Sequence, residues 1–70
     1  MGEIADDMER IMQGFRTYNT ESLKRMYFGT YANVPEKREA IYRILTREKY
    51  LMLHDGEFLT LDEYNKLSVE

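Results

Sequence analysis

The chain contains no cysteine. Disulfides and thiolate metal sites are therefore excluded, and a reducing compartment, the cytosol, is the expected location. Histidine occurs once, at His54. One imidazole, no thiol and scattered serines and threonines do not assemble into a nucleophile with its base and orienting acid. The four glycines, Gly2, Gly14, Gly29 and Gly56, stand apart from one another, so there is no loop to cradle a phosphate. No apolar run approaches the ~20 residues that span a bilayer, and no signal-peptide pattern opens the chain. Met1-Gly2 begins as a myristoylation signal would, but Asp6 stands where that signal takes Ser or Thr. Charge of one sign is lacking too. Ten basic and 13 acidic residues are interspersed, for a net charge of −3, too weak to draw nucleic acid by bulk attraction. The expectation is a cytoplasmic protein with no catalytic site, no cofactor, no metal and no membrane association.

What is present is the make-up of an ordinary globular protein, 43% hydrophobic and 33% charged, rather than that of a disordered tail. Seventy residues allow one domain, here residues 1–70. A chain of this size buries only about 60% of its unfolded surface, so a partner would add to its stability.

Ile4, Met8, Ile11, Met12 and Phe15 recur at helical spacing, with Asp6, Asp7, Glu9, Arg10 and Gln13 on the opposite side. The pattern predicts a helix ending near Gly14. Its methionine-rich stripe is either core or an adaptable docking face. Asn19 or Thr20 can cap a second helix that runs to Phe28, carries Leu23, Met26 and Tyr27 on one face, and stops at Gly29. Asn33-Val-Pro-Glu36 places a capping residue, a first-turn proline and an acidic residue ahead of a third helix. That helix has Ala40, Ile41, Ile44 and Leu45 on its apolar face and extends to about Glu48 or Lys49. Glu39 with Arg43, and Thr46 with Tyr50, are spaced i, i+4 along it.

Tyr50 to Thr60 reads as strand, Asp55-Gly56 type I′ turn and strand. Thr60-Leu-Asp-Glu63 then has capping-box spacing for a short last helix, about Leu61 to Leu67. The fold class is α+β: three helices, a β-hairpin and a short C-terminal helix in one small domain. The two-residue turn pairs His54 with Glu57, Leu53 with Phe58 and Met52 with Leu59. Leu51, Leu53 and Phe58 then share one face, while Met52 and Leu59 share the other. Both faces are apolar, so the second must be covered by the C-terminal helix, by another protein or by a second copy of the chain. His54 beside Asp55 and Glu57 reads as a cross-strand pair at a turn; these groups do not supply the convergent ligands of a metal site.

Six tyrosines accompany no tryptophan. Tyr42 is placed off the apolar face of the third helix near Arg38, and Tyr31 in a connector. Tyrosines beside arginines are enriched in protein interfaces. Tyr31, Arg38 and Tyr42, with Met52 and Leu59 on the second hairpin face, are therefore the candidate protein-binding residues.

Three helices followed by a hairpin is an element order that resembles the winged-helix families. The resemblance covers residues 20–60 and implies a DNA-binding regulator. The third helix, with Lys37, Arg38, Arg43 and Arg47, would enter a groove and the hairpin would be the wing. On a helical wheel, however, Arg38 and Lys49 flank one edge of the apolar face and Arg43 and Arg47 the other. The wing tip, Asp55-Gly-Glu57, is acidic. The opening Met1-Gly-Glu-Ile-Ala-Asp-Asp-Met8 resembles the start of very short phage and prophage proteins that continue into zinc-knuckle cysteines, which are absent here. That resemblance implies a mobile-element origin and a mode of action by binding a host protein. The leading expectation is a non-catalytic protein-binding module, a small regulator or inhibitor of a larger protein. Winged-helix-like DNA binding is the alternative.

Overall fold

The computed structural model describes residues 3–68, with side chains described for residues 7–67. Met1 and Gly2 of the phage-like opening, and the side chain of Ile4, lie outside the described residues. The α+β order is as expected: three helices, a two-stranded antiparallel hairpin and a short C-terminal helix.

Helix α1 spans Glu3–Phe15. Met12 and Phe15 are buried, and Met8 and Ile11 pack against the same core, so the stripe from Met8 onward faces inward. The helix closes one residue past Gly14, where the Arg16 N–H is shared between the carbonyls of Met12 (3.0 Å) and Gln13 (3.3 Å). Asn19 caps α2, Thr20–Arg25, its Oδ1 accepting from the Ser22 N–H at 2.8 Å.

Gly29 does not end this helix. The chain continues as a π-helical segment, Met26–Thr30, and the Tyr31 N–H reaches back five residues to the Met26 carbonyl at 2.8 Å. The wider π turn brings successive side chains closer to one face. Tyr27 and Phe28, neighbours in sequence, thereby both reach the ring of Phe58, at centroid distances of 5.0 and 5.7 Å.

Helix α3 spans Pro35–Arg43 with proline in its first turn. Asn33 is not its cap. Val34 occupies that position with no side-chain hydrogen bond, and its carbonyl accepts from the Arg38 N–H. The helix passes into a second π-helical segment, Ile44–Glu48, whose consecutive Ile44 and Leu45 are both fully buried. It ends at Glu48, and Tyr50 just beyond adopts φ +59° and is 78% exposed. The Leu51 N–H closes on the Leu45 carbonyl at 2.8 Å. The left-handed region disfavours a side chain by roughly 1–2 kcal/mol, and glycine is the usual residue at such a stop. Tyr50 therefore makes no partner for Thr46, whose hydroxyl donates to the Tyr42 carbonyl instead, at 2.8 Å.

Strands β1, Met52–His54, and β2, Glu57–Leu59, pair in the expected register. Asp55 (φ +51°) and Gly56 (φ +77°) supply the two positive φ angles of a type I′ turn. Helix α4, Leu61–Ser68, starts with the capping box formed in full. The Thr60 N–H donates to Glu63 Oε1 (2.8 Å) and the Glu63 N–H to Thr60 Oγ1 (3.2 Å).

The core lies where α1 packs across α3, with Leu23, Ile41, Ile44 and Leu45 fully buried and Leu51 and Phe58 sealing it from the hairpin. Leu53 shares the face of Phe58 but sits at the core's edge, 40% exposed. A charged clamp ties the end of α1 to the π segment that follows α3. Arg16 reaches Glu9 and Glu48, each with a shortest contact of 2.6 Å. The hydrogen bonds from Arg16 hold both carboxyls below the usual glutamate range, against a smaller opposing effect of desolvation. The same bonds raise the guanidinium's affinity for its proton.

Candidate interaction surface

The central feature is a ring of aromatics gathered from three elements. Tyr27 and Phe28 come from the π segment after α2, Tyr42 from α3 and Phe58 from β2. Tyr27 and Phe58 meet edge to face at 5.0 Å, as do Tyr27 and Phe28. Tyr42 lies 6.2 Å from both Tyr27 and Phe58. Edge-to-face pairs add about 0.5–1.5 kcal/mol each beyond the area they bury. Tyr27 and Phe58 are the buried members, Tyr42 is half-buried, and Phe28 remains 44% exposed.

Arg38 stacks on this cluster, its guanidinium carbon 3.9 Å from the Tyr27 ring centroid. The geometry is that of a cation–π contact. Its Nε is buried and has no hydrogen-bond partner. A buried donor left unpaired costs about 1–3 kcal/mol. The nearest acid in sequence, Glu39, is engaged elsewhere, accepting from Arg43 Nε at 2.8 Å.

Two clefts flank the aromatics. One, of about 490 Å³, is lined by Tyr27, Asn33, Pro35, Arg38, Glu39 and Tyr42. The other, of about 500 Å³, lies between the π segment and the hairpin tip, with Lys24, Arg25, Phe28, Glu57 and Phe58 on its walls. A third, of about 430 Å³, separates the hairpin's reverse face from α4 and includes His54, Leu59, Glu63 and Leu67.

The sequence candidates divide between these places. Arg38 and Tyr42 come together in the first cleft, but Tyr42 is not the exposed tyrosine its wheel position predicts. Its ring is drawn in beside Phe58, sixteen residues further along the chain. Tyr31 packs edge to face on Phe15 at 5.4 Å, with the Lys37 ammonium 5.1 Å from its centroid. Met52 and Leu59 lie half-buried on the opposite side of the hairpin from Phe58. There α4 lies beside Leu59, and His54 and Tyr64 meet edge to face at 5.5 Å. His54 Nε2 is 3.6 Å from Asp55. Among the described residues, no three of His, Cys, Asp and Glu gather as a metal would require. None of the described helices is long and apolar enough to cross a membrane.

The basic residues of α3 are dispersed. Lys37 lies over Tyr31, Arg38 over Tyr27, and Arg43 on Glu39; Arg47 is exposed at the start of the last turn. Sequence reasoning missed Phe28, Asn33 and the Arg16 clamp. The adjacent aromatics Tyr27 and Phe28 ahead of Gly29 were the one available signal. No family model, curated protein or solved structure matches this chain.

Proposed function

We propose that this chain is a non-catalytic protein-binding module that acts in the cytoplasm as a small regulator or inhibitor of a larger host protein, in the manner of short phage proteins. One observation carries the reading: an aromatic centre with Phe28 exposed, flanked by two clefts and bordered by Lys24, Arg25 and Arg38. Aromatic and arginine anchors at the middle of a patch are where binding energy concentrates in protein interfaces. The resemblance of residues 1–8 to phage proteins supports the choice of a host protein as partner.

The winged-helix alternative needs an exposed basic stripe on α3. The engagement of Lys37 and Arg38 by tyrosines and of Arg43 by Glu39 favours the protein reading over it.

The test is a pull-down from a host lysate with the parent chain and Phe28→Ala, alongside light scattering and a gel shift with duplex DNA. A partner that is held at raised salt and lost with Phe28→Ala is the expected result. A salt-sensitive DNA complex at micromolar protein, weakened by Arg43→Ala or Arg47→Ala, would replace this reading with the alternative. A dimer in light scattering, with no other protein captured, would make the second copy the partner.

A further inference from the structure

Resting on that protein-binding reading, we propose that the cleft beside Arg38 is a carboxylate site, which receives a Glu or Asp side chain of the partner. Four features of the cleft converge on this chemistry.

First, Arg38 makes no ion pair and no side-chain hydrogen bond among the described residues, although it is half-buried against Tyr27. A stacked guanidinium is held in one plane, and its planar fork matches a carboxylate with two parallel hydrogen bonds. Second, Asn33 lines the same cleft. Val34 has taken the cap position, so the Asn33 amide is not spent on α3 and can donate to an acceptor. Third, Pro35 forms another wall, so the positive end of α3 borders the cleft. Fourth, Glu39 is neutralised by Arg43, which leaves Arg38 as the uncompensated charge there.

The same inventory selects a carboxylate over a phosphate. A phosphate dianion would face a single unpaired guanidinium and be only half compensated. A monoanionic planar group avoids that imbalance. An internal side chain fits better than a chain terminus. The cleft and the Phe28 groove adjoin the same aromatic cluster, so a segment covering both continues past Arg38 instead of ending there.

The experiment is a ¹⁵N NMR titration of the full chain with N-acetyl-glutamate amide, with inorganic phosphate, N-acetylalanine and sodium chloride as parallel arms. Saturable shifts of the Arg38 Nε–H and the Asn33 side-chain amide are expected, with a dissociation constant on the order of millimolar for so small a probe. Arg38→Gln should weaken this at least about 10-fold, the usual scale for a charged hydrogen-bonded pair. Should Arg38→Gln fail to fold, Arg38→Lys keeps the charge and the ring contact but loses the fork, and is expected to weaken binding about 5-fold. Equal binding by a folded variant overturns the proposal. So do tighter binding of phosphate or N-acetylalanine, and shifts that rise linearly and match those in sodium chloride. The pull-down separates this inference from the reading beneath it. A partner lost with Phe28→Ala but retained in full with Arg38→Gln removes the carboxylate site and leaves the protein-binding module standing.

Discussion

Replacing Phe58 with alanine tests how the hairpin is held. An isolated two-stranded hairpin is marginal in water at best, so β1 and β2 depend on what their inner face touches. Phe58 is 3% exposed and meets the rings of Tyr27, Phe28 and Tyr42. Phe→Ala in a core costs about 3–5 kcal/mol. A 70-residue domain has a total stability of roughly 4–10 kcal/mol. Phe58→Ala should therefore leave the protein at the edge of folding at 25 °C. Leu53→Ala is the internal control. Leu53 is the direct cross-strand partner of Phe58 but is 40% exposed, and its truncation should cost about 1 kcal/mol. Urea unfolding followed by circular dichroism, with linear extrapolation to water, gives both values. Equal losses for the two variants, or a Phe58→Ala loss below about 1 kcal/mol, would refute the sealing of the hairpin onto the helices.

Three further outcomes follow from other parts of the molecule. Glu9 and Glu48 hold their protons less tightly when folded, so the clamp's contribution is present above the ordinary glutamate value, about 4.3, and is lost as pH falls below it. Denaturation at a series of pH values should show the gap between parent and Arg16→Ala closing as pH falls from about 5 to 2. A constant gap would mean that the clamp is not the source. Tyr50→Gly should stabilise the chain, because the relief of the left-handed strain at φ +59° exceeds the added freedom of the unfolded chain; the gain should be below about 1 kcal/mol. A lower melting midpoint would show that the Tyr50 ring contributes packing its exposure does not reveal. Thr60→Ala breaks one arm of the capping box and should cost about 1 kcal/mol. Amide hydrogen exchange should locate the loss in α4, leaving the protection of α3 unchanged.

The signals legible in the sequence are those whose cause lies within a few residues. Asp55-Gly56 specifies its turn because both positions need positive φ, and the turn then dictates every pair in the hairpin. Thr60 and Glu63 make their reciprocal bonds three residues apart. The stripe from Met8 to Phe15 and the Glu39–Arg43 pair likewise follow from helical period alone. Tertiary contact decided the rest. Gly29 is a reasonable stop for an isolated helix. The π winding that overrides it brings Tyr27 and Phe28 together onto Phe58, about thirty residues away. That same ring draws Tyr42 inward and gives Arg38 a surface to stack on. The opposite placement of Met52 and Leu59, by contrast, follows from the hairpin register that the turn already dictates. Local hydrogen-bonding geometry is written in short spacings, whereas a cluster joining three elements exists only once the hairpin has closed over the helices.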